Sequence, residues 1–344
     1  MTALVFVPLA GNQARFYLSV ARHLRGRGYQ AAFLSFHQPS LALLRDEGFE
    51  AIDMFGPSGD RAASMTPDDV AVLAQRYGMG NVSPLISHEK AAYEITDTGY
   101  LLRKLARSTL AIDDALEALA TRLGPLQVVQ ELGGFLAVLA AFYVARRRGL
   151  DVVHVEPSFY RGRVLFVRNT LSALSIEGVG RRSITPEVRT YLDETVRERR
   201  IVIPSKDTHH YRSPWRKVLS PYNVRRFFQK SVEKHVLAQR EEFSYLRTQA
   251  VRHVRSALTE RRLRRHYRDL EAAGRFVYYP LHVAADVALT IRAPEYLDQY
   301  ALLDYLARTV PITHRLAIKE HPAMVGGVDY GRVADLLRRH DALV

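Results

Sequence analysis

Polar side chains end an apolar run close to the end of the sequence, in LAIKEHPAM at 316–324. The letters LAI predict a short strand, and Pro322 fixes the backbone and stops that strand after Lys319, Glu320 and His321. Because alternate residues of a strand point to the same face, Lys319 and His321 would present a cation and an imidazole together. Such a pair suits a phosphate or a carboxylate. The alternative is a strand end that bears ordinary surface residues.

A second predicted strand ends in the same way in FVYYPLHVAAD at 276–286, where His282 and Asp286 follow a proline. The carboxyl ends of parallel strands meet at one edge of a sheet, so two strand ends that each carry a histidine predict one convergent site. Zinc ligation by His282, Asp286 and His321 is the weaker alternative, because the helix-borne histidine spacing of many zinc sites is absent. We therefore expect a site without a metal or other cofactor.

A carboxylate and two glycines follow an apolar strand in VVQELGGF at 128–135. Gly133 and Gly134 would open a helix and let a ligand approach the amides at its N-terminus. Glu131 beside such a turn is a candidate general base. The alternative is a glutamate that caps the helix or forms an ion pair.

Two more segments belong to the same predicted sheet edge. Glu156 ends the next strand, DVVHVEP, and Gly11 and Asn12 follow the first strand, ALVFVP. Together with the glycine pair, these residues are the candidates for binding an acceptor: Gly11, Asn12, Gly133, Gly134 and Glu156.

The elements that must position these residues read as an α/β fold. Short apolar runs alternate with helical patterns in the order βαβαβ, which predicts a parallel sheet with both faces covered. The arrangement resembles the start of a Rossmann-like domain, although the first turn, AGNQARF, is not the GxGxxG of dinucleotide-binding proteins. The predicted strands lie at 3–8, 31–36, 50–55, 126–132 and 151–157.

The pattern divides the chain into three parts. Residues 1–160 form the first domain, with a helical insertion at 56–123, and 161–273 form a helical, basic middle region. Residues 274–344 begin a second α/β domain with two strands and the start of a third. Because such a sheet normally has more strands, we expect this domain to be incomplete in the sequence.

Composition limits the classes of protein. The 344 residues contain no cysteine and 49 lysine and arginine residues against 36 aspartate and glutamate residues, which gives a net charge of +13. No stretch reaches the roughly 18 apolar residues of a membrane-spanning helix, and MTALVFVPLAG is not typical of a signal peptide. We expect a cytoplasmic protein, or one peripheral at the inner face of the cell membrane, with phosphate-bearing partners.

The positive charge is densest in the helical region 225–268. Three interpretations stay open for it: a solvated face with internal ion pairs, a contact with an anionic membrane or glycolipid, and a nucleic-acid interface. Nucleic acid is the least favoured, because the region carries no known recognition motif and few aromatic residues.

The segments YPLHVAAD and AIKEHPAM resemble the bacterial capsule polysaccharide biosynthesis proteins. The family has a strand that ends Pro-Leu-His-Val, then Gln-Pro-Glu, a helix and Lys-Glu-His-Pro. Here 280–283 and 319–322 match, whereas Ala284, Ala285 and Asp286 replace Gln-Pro-Glu and keep only the carboxylate. In the family, further strands and a Gly-rich loop follow the Lys-Glu-His-Pro segment.

The resemblance implies a GT-B-like fold, with two Rossmann-like domains facing across a cleft. It implies that the acceptor sits on the first domain and a nucleotide sugar, such as CMP-Kdo, on the second. The donor phosphate and nucleotide would lie on His282, Lys319, Glu320, His321 and Pro322. Glu131 or Asp286 would be the base, or the nucleophile if the anomeric configuration is retained.

The leading hypothesis is a glycosyltransferase of surface polysaccharide synthesis, which transfers a sugar to a glycolipid or saccharide acceptor. A second is a non-catalytic GT-B-like subunit that binds a glycolipid or a protein partner. Two others are a sugar-nucleotide epimerase and a polyol-phosphate transferase of the teichoic acid type, since the latter carry a similar Lys-x-His-Pro.

Overall fold

The computed structural model describes residues 2–158, 162–173, 183–199, 213–218, 220–243 and 245–344, and the single residues 160, 203 and 211. Its larger sheet has six strands in the order β3-β2-β1-β4-β5-β6, and all neighbours are parallel except β5 and β6. The α/β class with a parallel sheet is therefore confirmed. The strands are β1 (Ala3–Phe6), β2 (Ala31–Ser35), β3 (Glu50–Asp53), β4 (Leu126–Glu131), β5 (Asp151–Pro157) and β6 (Val164–Arg168).

Helices cover both faces of this sheet, as the apolar strands predict. The strands alternate their side chains between two apolar clusters, one packed on α5 and α6 and the other on α1 and α2. The longest helix, α5, begins where the Asp97 carboxylate accepts the Tyr100 amide at 2.8 Å, and it buries a leucine-rich stripe. The helices are α1 (Gly11–Arg25), α2 (Leu41–Asp46), α3 (Pro67–Arg76), α4 (Val82–Tyr93), α5 (Thr98–Leu123) and α6 (Leu136–Arg147).

The middle of the chain differs from the predicted all-helical region in two places. β6 was not predicted; it adds an antiparallel edge strand, and three of its five residues are exposed apolar side chains that give no clear alternation. The predicted continuous helical stretch is also interrupted at 236–243, where residues 240–242 pair with the chain just past the end of β2. The helices here are α7 (Pro186–Arg197), α8 (Pro214–Val218), α9 (Pro221–His235) and α10 (Leu246–Leu263).

The second sheet pairs β7 (Phe276–Pro280) with β8 (Arg315–Lys319) in parallel, and Pro280 lies opposite Lys319. Leu343 adds a parallel bridge to Leu316, where the start of a further strand was predicted. Helices α11 (Gln299–Thr309) and α12 (Tyr330–Arg339) pack on this sheet around a small leucine core. The register places the ends of β7 and β8 side by side.

Helix α10 joins the two sheets. Its Arg252 guanidinium donates to the Ala92 carbonyl at 2.7 Å and so caps the C-terminal end of α4 in the first half of the chain. At its other side, Gly326 from the loop after β8 lies so close that a Cβ there would overlap the Ser256 carbonyl. The helix therefore holds the loop after β8 at a fixed place relative to the first sheet.

A buried charge cluster supports the same junction. The Lys104 ammonium lies 2.7 Å from carboxylate oxygens of both Glu89 and Glu242, and both carboxylates are almost fully buried. Glu89 also accepts the Leu136 amide at 3.0 Å, at the N-terminus of α6. Burial raises the pKa of Glu242 to about 7. The cluster connects α4, α5, α6 and the segment that follows α9.

Within the described part of the chain, no helix combines the length and the apolar character that crossing a bilayer requires.

Because His154 on β5 is buried, we expect the stability of the fold to decrease at acidic pH. Among the described residues neither of its ring nitrogens has a hydrogen-bond partner, and burial lowers its pKa to about 4. Between the usual histidine pKa of about 6.5 and pH 4 the unfolded chain binds the proton and the folded chain does not, so stability falls as pH falls. For this residue alone the loss at pH 5 is about 2 kcal/mol.

We therefore expect His154→Leu to be neutral or stabilising at pH 7.5 and to gain about 2 kcal/mol more over the parent protein at pH 5. Urea unfolding at the two pH values measures this difference. A stability difference between variant and parent that does not change with pH would contradict the assignment of His154 as a neutral core residue.

Candidate functional site

Glu131 lies at the point where the strand order of the first sheet reverses. β1 and β4 are neighbours, and the chain leaves them for opposite sides of the sheet; in α/β folds a ligand commonly binds at the carboxyl ends of such a pair. The Gln13 side chain connects the two strand ends: its amide nitrogen donates to Glu131 Oε2 at 2.5 Å, and its oxygen accepts the Leu9 amide at 2.7 Å. Gln13 thus holds the Glu131 carboxylate at the switch point.

The glycine pair after Glu131 makes room for His88 of α4. A Cβ at Gly134 would overlap the His88 ring, whereas one at Gly133 would meet only Phe135 at an ordinary 3.6 Å. The same ring packs edge-on against Phe135, with centroids 4.5 Å apart. Burial lowers the pKa of His88 to about 4, so the imidazole is neutral at physiological pH.

The loop after β7 reaches this histidine from the second sheet. The Thr290 hydroxyl donates to the Asp286 carbonyl at 3.0 Å and lies 2.9 Å from His88 Nδ1. Since the hydroxyl proton is used on the carbonyl, Thr290 accepts from His88, and the proton of His88 resides on Nδ1. Since the His88 ring also lies on Gly134, it connects this loop to the β4–α6 turn.

A second contact fixes the same loop one strand further along. The Arg292 guanidinium lies 3.1 Å from Glu156 at the end of β5 and donates to the Leu171 carbonyl at 3.1 Å. Glu156 is thus held in an ion pair that joins the two halves of the molecule. The buried His154 lies close enough to Arg292 for that charge to lower its pKa further.

His282 follows β7 and has its backbone fixed on both sides. The buried Gln299 side chain, at the start of α11, accepts the His282 amide at 2.7 Å and donates to the His282 carbonyl at 3.0 Å. The imidazole itself is exposed. Gln299 therefore presents the ring at the end of the strand without covering it.

His321 follows β8, and the structure indicates its tautomer. Its Nδ1 accepts the Ala323 amide at 3.2 Å, so the proton of the neutral ring resides on Nε2 and is available to an acceptor. Burial lowers the pKa of His321, Asp286 raises it and His282 lowers it further. The parallel register of β7 and β8, with Pro280 opposite Lys319, brings the loops that carry these three side chains to the same sheet edge.

Glu320 points away from this group, although it lies between Lys319 and His321. It accepts the hydroxyl of Tyr267 and the amide of Gly326, the latter at 2.9 Å, and burial raises its pKa. Its carboxylate shapes the loop after β8. Lys319 is exposed at the end of the strand, and the exposed Pro322 begins a short helical turn.

The structure thus brings together His282, Asp286 and His321, and it sets their loop against the turn that carries Glu131, Gly133 and Gly134. Gly11 and Asn12 begin α1 at the same edge of the first sheet, and a Cβ at Gly11 would lie 3.3 Å from the His37 ring. Within the described residues no group of three histidine, aspartate or glutamate side chains is arranged to hold a metal ion.

Sequence reasoning missed the residues that hold this arrangement. His88 and Thr290 lie in segments with no strand-end signal, and Gln299 and Arg292 are common residue types in helical patterns. Gln13 directly follows the candidates Gly11 and Asn12, so the strand-end signal at this turn could have included it. The pairing of Gly134 with His88 links positions 46 residues apart, which one sequence does not reveal. The local signal for His88 was that it and Glu89 are two adjacent polar residues on the buried face of α4.

The model of the family described as capsule polysaccharide biosynthesis protein matches residues 138–342. The chain belongs to this family. The match covers more than half of the chain, including β5, the middle region and both histidine-bearing loops of the second sheet. A comparison with curated proteins finds no match. Family membership connects the chain with capsule polysaccharide synthesis and is compatible with glycosyltransferase activity.

The contact of Gly134 with His88 gives a direct test of the site's architecture. We expect Gly134→Ala to destabilise the protein by about 1–3 kcal/mol, because the new methyl group must displace the buried His88 ring. Gly133→Ala, whose new methyl group makes only an ordinary contact with Phe135, is the matched control and changes stability little. Urea unfolding of both variants measures the difference.

Combining Gly134→Ala with His88→Ala removes the clashing ring and restores part of the lost stability relative to the sum of the two single changes. Equal stabilities of Gly134→Ala and Gly133→Ala would show that His88 does not pack on this turn.

Proposed function

We propose that this protein is a glycosyltransferase of capsule polysaccharide synthesis that works at the crevice between its two sheets. One observation carries the proposal: the ends of β7 and β8 bring His282, Asp286 and His321 to one sheet edge, and the loop after β7 contacts His88, which packs on the β4–α6 turn beside Glu131. Cationic and N–H donor groups on one wall and a carboxylate on the other are what group transfer from a phosphate leaving group requires.

The donor binds on the second sheet. His321 Nε2–H and the His282 ring donate to the phosphate of a nucleotide sugar, and the exposed Lys319 ammonium adds a positive charge. Negative charge grows on this phosphate as its bond to the sugar breaks, so these groups act most strongly in the transition state. The resemblance to the capsule family favours a CMP-activated sugar such as Kdo, whose leaving group carries one phosphate.

The acceptor binds on the first sheet, beside Gly133 and the start of α1, whereas Gly134 is buried beneath the His88 ring and does not contact the acceptor. Its hydroxyl oxygen attacks the anomeric carbon and forms the new glycosidic bond, while the bond from that carbon to the nucleotide phosphate oxygen breaks. Glu131, held by Gln13, takes the hydroxyl proton. Asp286 already accepts the Ala288 amide at 2.8 Å and positions the donor loop, so we assign the base to Glu131.

Nucleotide binding tests the donor wall. We expect titration calorimetry to detect CMP binding in preference to CDP and UDP, and we expect His282→Ala and His321→Ala each to weaken it about tenfold or more, because each removes a charge-assisted hydrogen bond to phosphate. His314→Ala is the matched control, since His314 precedes β8 and so lies at the opposite end of that strand.

Absence of heat with any of the three nucleotides at millimolar concentration would reject the transferase and favour a non-catalytic binding subunit. Equal binding by the His321→Ala and His314→Ala variants would place the nucleotide elsewhere. A preference for CDP would instead support a polyol-phosphate transferase of the teichoic acid type.

The assignment of the base has its own test. We expect Glu131→Gln to lower the turnover of donor and acceptor by about 10²–10⁴-fold while CMP affinity stays unchanged, because the amide keeps the shape but cannot take a proton. Release of CMP measures turnover. A Glu131→Gln protein with full turnover, beside an Asp286→Asn protein without it, would transfer the role of base to Asp286.

A further inference from the structure

Helix α9 exposes an apolar stripe that no part of the described chain covers. Every residue of the helix is at least partly exposed, and its large apolar side chains recur every fourth position. Phe228 is 64% exposed and Val236, just past the helix, 73%. We call Val224, Phe228, Val232 and Val236 the α9 stripe; Tyr222 and Phe227 widen it. A soluble helix normally buries such a stripe, so this one requires an apolar environment from outside.

Exposed basic residues surround the stripe. Arg225 and Arg226 follow Val224, Lys234 and His235 precede Val236, and all four are exposed. Two arginines of α10 differ: Arg252 caps α4, and Arg255 pairs with Glu94. These two hold elements of the fold together, whereas the four basic residues of α9 lie beside exposed apolar side chains.

The position of α9 is fixed by the first sheet. Lys230, on its less exposed side, pairs with Glu241, and Glu241 lies 3.5 Å from His37 at the end of β2. The Gln38 amide donates to the Arg240 carbonyl at 3.0 Å next to this pair. His37 in turn lies against Gly11. The helix is therefore anchored at the same sheet edge as Glu131 and the start of α1.

We propose that α9 is an interfacial helix that docks the protein on an anionic lipid surface, with the α9 stripe inserted at the boundary of headgroups and acyl chains. Aromatic and aliphatic side chains on one face with arginine and lysine beside them are the pattern of such helices. Charge complementarity favours an anionic membrane over a second copy of this chain as the partner of α9. Two copies with a net charge of +13 each would repel one another, whereas an anionic membrane attracts the protein.

Docking through α9 would turn the edge of the first sheet toward the bilayer. An acceptor with a lipid anchor could then reach Glu131 without leaving the membrane. This consequence for the acceptor rests on the proposed function, whereas the docking itself does not. Docking through α9 therefore favours a glycolipid rather than a free saccharide as the acceptor.

Sedimentation with vesicles tests the docking. We expect the full chain to bind vesicles containing phosphatidylglycerol, to bind pure phosphatidylcholine vesicles far more weakly, and to dissociate as salt rises. Arg225→Gln with Arg226→Gln should weaken binding about 30-fold, since each basic residue near the surface contributes about fivefold. Phe228→Ser with Val232→Ser should weaken it at least tenfold by removing the inserted side chains.

Matched controls change equally exposed residues away from α9: Arg27→Gln with Arg315→Gln for charge, and Val72→Ser with Tyr305→Ser for apolar area. Their vesicle binding stays at the parent level, and circular dichroism verifies that all variants are folded. Equal binding by α9 variants and controls, or equal binding to both lipids, overturns the proposal. Self-association that the α9 serine variant abolishes, without vesicle binding, also overturns it and assigns the stripe to a protein interface.

Nucleotide affinity is measured on the same variants. Loss of vesicle binding with unchanged CMP affinity supports docking independently of the donor site. If the parent protein binds vesicles but not CMP, the proposed transferase activity and the inference about a lipid-anchored acceptor are rejected. The docking proposal is then still supported.

Discussion

The contact on which the rest of the structure depends is that of His88 with its two neighbours. The missing side chain at Gly134 lets the neutral His88 ring lie on the β4–α6 turn, and the ring nitrogen donates to Thr290 from the loop after β7. One imidazole thus joins the carboxyl edge of the first sheet to the second sheet. Arg292 with Glu156, and α10 with α4, repeat the connection at two other places. Any chemistry in the crevice requires this junction, because the proposed base and the proposed phosphate ligands lie on opposite sides of it.

Buried and exposed charges have different roles in this protein. Inside, Lys104 compensates Glu89 and Glu242, and removing one partner from such a cluster is costly because an uncompensated charge stays buried. Outside, the residues proposed to meet phosphate are exposed or half-buried at strand ends, where a ligand can replace water around them. The high net charge therefore reflects both an internal framework of arginine contacts and surfaces that are available to anions.

The sequence predicted much of the framework. Short apolar runs located every strand of the parallel sheet, and the strand-end histidines in PLHV and KEHP pointed to one edge, which agrees with the register that sets the ends of β7 and β8 side by side. It could not predict β6, whose exposed Phe166 gives no clear alternation, or the break between α9 and α10, where the chain pairs with residues 36–38 just beyond the end of β2. It also could not predict that Glu320 turns to Tyr267, since that depends on a residue 53 positions away.

A crystal structure of the protein with CMP would show whether the strand-end imidazoles form the phosphate site of a crevice that faces Glu131. We expect the phosphate within about 3.2 Å of a ring nitrogen of His282 or His321, with the sugar-bearing oxygen toward the β4–α6 turn. A nucleotide bound in another groove, such as the one lined by Arg76, Arg146 and Arg147, with both imidazoles free of it, would contradict the account.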